Sequence, residues 1–163
     1  MVRVYTLLLL LVLSSASYAI LVDMRGFNII DDSLAEAISP PRPMSVSKAL
    51  TFIKGKYKKE NIEELNFKNN YIGQSGAKAI LEYALELPNL RLLNLEINRI
   101  DYNTGSPEYS AFETLLLQLL QKKEFEEIRL GENGIASAEW YRLISQKLVG
   151  RADASKIKWQ PPD

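Results

Sequence analysis

Apolar and polar positions alternate in one recurring phrase. The chain reads IEELNFKNNYI from Ile62, LRLLNLEINRI from Leu90 and FEEIRLGENGI from Phe125. In all three the first, fourth and sixth places are apolar, an Asn stands ninth (Asn70, Asn98, Asn133) and an Ile eleventh (Ile72, Ile100, Ile135). Period-two spacing predicts a short strand in each copy, with Leu65 and Phe67, Leu93 and Leu95, and Ile128 and Leu130 facing a core. Behind each strand the spacing becomes helical. Residues 75–87 bring Ala77, Ile80, Leu81, Ala84 and Leu85 to one face, 110–122 bring Phe112, Leu115, Leu116, Leu119 and Leu120, and 137–148 bring Trp140, Leu143, Ile144 and Leu148. A strand-plus-helix unit cannot cover its own apolar face, so recurring units must stack.

The first two copies are offset by 28 residues, from Asn70 to Asn98, and the next interval, to Asn133, is 35. The excess falls in 101–109, DYNTGSPEY, rich in turn formers and carrying Tyr102 and Tyr109. Insertions into stacked repeats map to loops at one edge, which are often used for binding. Long surface loops also cost little entropy, so a passive insertion is an equal reading.

The phrase resembles the leucine-rich repeat, L-x-x-L-x-L-x-x-N-x-I. The stretch Ile72-Gly73-Gln74-Ser75-Gly76-Ala77 is similar to the I-G-x-x-G-A of the ribonuclease-inhibitor-like subclass. The resemblance implies an α/β fold, a curved solenoid or short horseshoe arc with a parallel sheet on its concave face and helices on its convex face. It also implies that the repeated Asn residues hydrogen-bond loop backbone and are structural, and it does not imply a reaction.

The flanks read differently. Arg3, the apolar run 7–13 and the small residues Ser17 and Ala19 predict a signal peptide over 1–19; a membrane anchor would need about 20 apolar residues, and Ser14, Ser15 and Ser17 interrupt the run. Residues 20–61 form an N-terminal cap. In it Met24, Phe27 and Ile29 have the spacing of a degenerate strand, 33–38 of a short helix, and Pro40, Pro41 and Pro43 of an extended connector, or of a proline-rich ligand for a partner's groove. A helix over 45–59 follows, with Ser45 or Ser47 as N-cap and Lys54, Lys56, Lys58 and Lys59 at its end, where cations suit the helix dipole or form a basic patch. The repeats occupy 62–150, Trp140 standing where the first copy has the small Ala77, so that the last unit must open or turn the indole outward. In 151–163, Lys156-Ile157-Lys158-Trp159 predicts a capping edge strand closed by Pro161 and Pro162.

Charge and composition narrow the function. The 20 basic and 20 acidic residues balance, which gives no electrostatic pull toward nucleic acid. Without Cys, disulfides, thiolate catalysis and thiolate zinc sites are excluded; without His, the usual neutral-pH proton carrier is missing. The carboxylate pair Glu63 and Glu64, like Glu126 and Glu127, splits to opposite strand faces, so only Glu64 and Glu127 could meet over one substrate, with no insertion to form a pocket. No enzyme activity, cofactor or metal is expected.

The strand residues that point away from the core are the candidate site. They are Glu64, Asn66 and Lys68; Leu92, Asn94 and Glu96; Glu127, Arg129 and Gly131; and Lys156, Lys158 and Gln160. Stacking predicts one row of Glu64, Leu92, Glu127 and Lys156 and a second of Asn66, Asn94, Arg129 and Lys158. Leu92, with Ile97 near it, is an apolar group among charges, the anatomy of a protein contact. The expected function is that of an exported, secreted or periplasmic, protein-binding module with no membrane insertion after leader removal, in one form a secreted effector acting on a host protein. The alternative is a structural envelope protein without a dedicated ligand.

Overall fold

The computed structural model of the protein describes residues 19–37, 43–101, 106–135, 138–148 and 154–158. The leader expected before Ala19, together with Pro40, Pro41, Tyr102, Trp159, Gln160, Pro161 and Pro162, lies outside the described residues. Strands β1 (Ile20–Asp23), β2 (Ile62–Asn66), β3 (Leu92–Asn94), β4 (Glu127–Arg129) and β5 (Ile157–Lys158) form one parallel sheet in chain order. Parallel neighbours need a crossover between them. Here the crossovers carry α1 (Asp32–Ala37) and α2 (Val46–Lys56), then α3 (Gln74–Glu86), α4 (Pro107–Gln121) and α5 (Ala138–Leu148). No helix among the described residues is long and apolar enough to cross a membrane.

One sheet face packs on the helices. Leu65, Phe67, Leu93, Leu95, Ile128 and Leu130 are fully buried in a single core with Ala77, Ile80, Leu81 and Ala84 of α3, Phe112, Leu116, Leu119 and Leu120 of α4, and Trp140 and Ile144 of α5. Leu85 and Leu115 sit at its margin, and Tyr83, absent from the expected stripe, is inside it. Trp140 is also fully inside, its indole N–H donating to the Tyr109 hydroxyl at 3.1 Å, so the last unit takes the large ring into the core rather than turning it outward.

Three buried Asn side chains join each unit to the one before it. Asn98 accepts from the Ile72 amide at 3.0 Å and donates to the carbonyls of Phe67 and Leu95, both at 3.0 Å. Asn70 does the same between Ile29, Met24 and Phe67, and Asn133 between Ile100, Leu95 and Leu130. In every case the amide oxygen satisfies a backbone N–H of the preceding unit, and the NH2 group satisfies one carbonyl of that unit and one of its own. Asn alone has the required donor and acceptor on so short a stem.

Helix ends are also closed between units. Asp31, buried immediately before α1, accepts from the Gly73 amide at 2.9 Å, the Gly76 amide at 3.0 Å and the Ser75 hydroxyl at 2.7 Å. It thus supplies the start of α3 with the carboxylate that Gly73, as N-cap residue, lacks. At the other pole, Lys122 donates to the Leu85 and Leu87 carbonyls at the end of α3, and Lys156 to those of Leu120 and Lys122 at the end of α4. Burial pushes the Lys122 ammonium below its usual pKa.

Several expectations are corrected. The first strand is Ile20–Asp23 rather than the stretch through Met24, Phe27 and Ile29: Val22 pairs with Leu65, Met24 continues the ladder to the Asn66 carbonyl, and Phe27 is exposed. The 45–59 helix ends at Lys56, capped by Ser45, and Lys59 turns to pair with Glu86. The 110–122 helix begins earlier, at Pro107, with Ser106 accepting from the Tyr109 amide at 3.0 Å. Tyr109 therefore belongs to a helix turn and is buried, not displayed on a loop.

Candidate protein-binding face

The sheet face opposite the helices is built by strand alternation. Pairing fixes two rows across it: Leu21, Glu64, Leu92 and Glu127, then Asp23, Asn66, Asn94, Arg129 and Lys158. The rows contain the expected neighbours except Lys156, which lies in a 3-10 turn before β5 and directs its ammonium to the α4 carbonyls. Those carbonyls have no intrahelical donor, and the negative end of the helix dipole draws the cation there. Lys68 and Glu96 extend the surface beyond the strand ends, each half-buried.

Asn66 and Asn94 have local partners. Asn94 Oδ1 accepts from the Glu96 amide at 2.9 Å and Asn66 Oδ1 from the Lys68 amide at 3.1 Å. This turn between an Asn side chain and the backbone two residues on takes the chain out of the strand. It leaves Asn94 only 4% exposed. Both are turn residues at the floor of the face more than surface to be touched.

The charges are largely matched within the surface. Asp23 holds Arg25 through two guanidinium nitrogens, the closest at 2.7 Å; the Arg25 hydrogen bond keeps the Asp23 carboxyl below its ordinary pKa. Lys68 meets Glu96 at 3.0 Å, Arg129 meets Glu127 at 2.5 Å, and Lys158 donates to the Ser155 carbonyl at 3.1 Å. At the strand entrances Arg91 spans three units, reaching Glu126 at 2.8 Å and Glu63 at 3.6 Å, and its pKa is raised by the Glu126 hydrogen bond. Glu64 differs: it has no ion pair or hydrogen bond among the described residues, and its row neighbours are Leu21 and Leu92. Leu21 is 53% exposed. This carboxylate, between the exposed Leu21 and the half-buried Leu92, is the centre of the face, and Leu21 comes from the strand whose register the sequence pattern misplaces.

Beyond the strands lies a corner where the backbone adopts positive φ in successive units, at Gly26 (φ 68), Asn69 (φ 56), Ile97 (φ 54) and Glu132 (φ 56). The ladder bonds Gly26 N–H to Lys68 O, Asn69 N–H to Glu96 O and Ile97 N–H to Gly131 O align these corners side by side. Gly and Asn suit the left-handed region, whereas a β-branched residue there is an outlier. Ile97 is half-buried and lines an open hollow with Arg25, Gly26, Lys68 and Asn69.

No family model, no curated protein and no solved structure matches the chain.

Proposed function

We propose that the protein is an exported, non-catalytic module of leucine-rich-repeat type, its stacked units forming a short solenoid arc whose open sheet face binds another protein. The observation that carries this reading is the Leu21, Glu64, Leu92 row: an exposed and a half-buried leucine flank a carboxylate that has no partner among the described residues, while the charges around it are already paired. Apolar centres rimmed by satisfied polar groups are the anatomy of protein contacts. The fitting partner presents a Lys or Arg between apolar side chains, which would match Glu64 and cover both leucines. Export rests on the pattern of 1–19 alone, and the non-catalytic reading on the absence of Cys and His and on the separation of the adjacent carboxylates.

The test is affinity capture with chemical cross-linking, comparing the protein with a Leu21→Ser, Leu92→Lys variant. Lys at 92 would stand between Glu64 and Glu127, so the substitution keeps favourable cross-strand charge and spares the fold. A partner held by the parent and lost from the equally stable variant supports the face. Retention of the same partner by the variant would refute it.

A further inference from the structure

The corner at Ile97 combines two features that do not explain each other. Its backbone is left-handed at a corner that the two preceding units fill with Gly26 and Asn69, residues that adopt this conformation at little or no cost, and the next unit with Glu132, which is unbranched at Cβ; Ile97 alone of these four is β-branched, the class for which the left-handed region is an outlier. Its side chain is nevertheless a branched hydrocarbon that is only half-buried, so the core does not account for it. Strain kept at a partly open apolar residue is a mark of a contact site. Among the described residues, the hollow that it lines is walled by Arg25 and Lys68 and by no acidic residue. Asp23 and Glu96, which pair with those cations, lie outside the lining; the Arg25–Asp23 pair is exposed and the Lys68–Glu96 pair half-buried, so both cations keep open surface that an incoming carboxylate can share.

We propose that Ile97 is the apolar anchor of a second contact site on the protein-binding face, taking from the bound protein an apolar side chain that adjoins an Asp or Glu. The inference rests on the protein-binding reading and adds to it a residue and a ligand chemistry: Glu64 selects a cation at the centre of the sheet, and Arg25 and Lys68 select an anion at the corner. The partner segment thus carries both signs in a fixed order.

A random peptide library displayed on phage, selected on the intact protein, tests this. Enriched peptides should place Asp or Glu within two residues of Leu, Ile, Met or Phe. Their affinity should fall at least about tenfold with Ile97→Asn and again with Lys68→Glu. Ile97→Asn should meanwhile melt no lower than the parent, and about 2–4 °C higher where the strain is fully relieved; Ile97→Gly, which also relieves it, checks the binding loss independently. Peptides that bind Ile97→Asn and Ile97→Gly unchanged but are lost from the Leu21→Ser, Leu92→Lys variant would overturn the corner and leave the sheet reading standing. Selection of no peptide would overturn both. Enrichment without acidic residues would overturn the ligand chemistry, and a lowered melting point for both Ile97 variants would overturn the claim that Ile97 is held for contact.

Discussion

Replacing Asn98 by Ala removes the joint between the second and third strands without touching the exposed face. In the parent, Asn98 Oδ1 satisfies the Ile72 amide at 3.0 Å, and the two amide protons are shared by the carbonyls of Phe67 and Leu95 at 3.0 Å and Glu96 at 3.1 Å. The side chain is 9% exposed, so water is a poor substitute. Three net hydrogen bonds at about 1 kcal/mol each, with a further penalty for leaving the Ile72 amide unpaired, give about 3–4 kcal/mol. That is a large share of the stability of a domain of this size. Urea unfolding followed by the fluorescence of buried Trp140 measures it, with the slope m as a check that the transition remains two-state. Asn98→Asp separates donor from acceptor: it keeps the acceptor, loses both donors, and sets a carboxylate against three carbonyls, so it should be at least as damaging at pH 7. Acid should relieve it partly, since the protonated carboxyl regains one donor. A loss below about 1 kcal/mol for Asn98→Ala, with m unchanged, would refute the role of this side chain as the joint.

Other consequences follow from the same geometry. A methyl added at Gly76 would clash with Asp31 Oδ1 and lie 2.9 Å from methyls of Ile72 and Val46, so Gly76→Ala and Asp31→Ala should each cost about 1–3 kcal/mol. The double variant should lose less than their sum, because both act on one contact; additive losses in urea titrations would show that the carboxylate does not sit there. Tyr109→Phe should destabilise by about 1 kcal/mol, by loss of the bond from Trp140, and leave partner binding unchanged, whereas a loop contact would show the reverse. Glu86 is held below its usual 4.5 chiefly by the Lys59 hydrogen bond, and Asp23 below 3.8 by that of Arg25. Because the folded state binds these protons less tightly, their stabilisation is present above the unfolded values and is lost as pH falls through the folded ones. Both groups are exposed, so the effect is small; melting points at pH 7 and pH 3 should show an acid-side loss that shrinks in Lys59→Met.

The strands and helices from Ile62 onward are legible in the sequence because the 1-4-6 spacing and the helical stripes are repeated: agreement between copies fixes register even where one strand is only three residues long. The first strand has no such support. It lies 43 residues before its partner, measured from Val22 to Leu65, and Phe27 occupies the place that Asn holds elsewhere, so Met24 looks like a first position when it is a sixth. Leu21 is lost from the face by that slip. Other features have a local signal: Ser106-Pro107 is a helix start that removes Tyr109 from the loop. Likewise Asn66 and Asn94, at strand ends followed by turns, fit side-chain turns better than open contacts. Asp31 at the start of α3, and Lys122 and Lys156 at helix ends, are not legible, since each acts on a unit about 34 to 45 positions away and no local pattern encodes that distance.

On this reading the open sheet face, and not the helix side, meets a protein. A photoreactive phenylalanine analogue placed at position 92 and, separately, at the exposed α4 position of Gln118, followed by irradiation in the native host's extract and mass spectrometry, tests it most directly. A defined protein adduct is expected at 92, competed by unlabelled parent protein, and none at 118. The same adduct at both positions, or one at 118 alone, would contradict it.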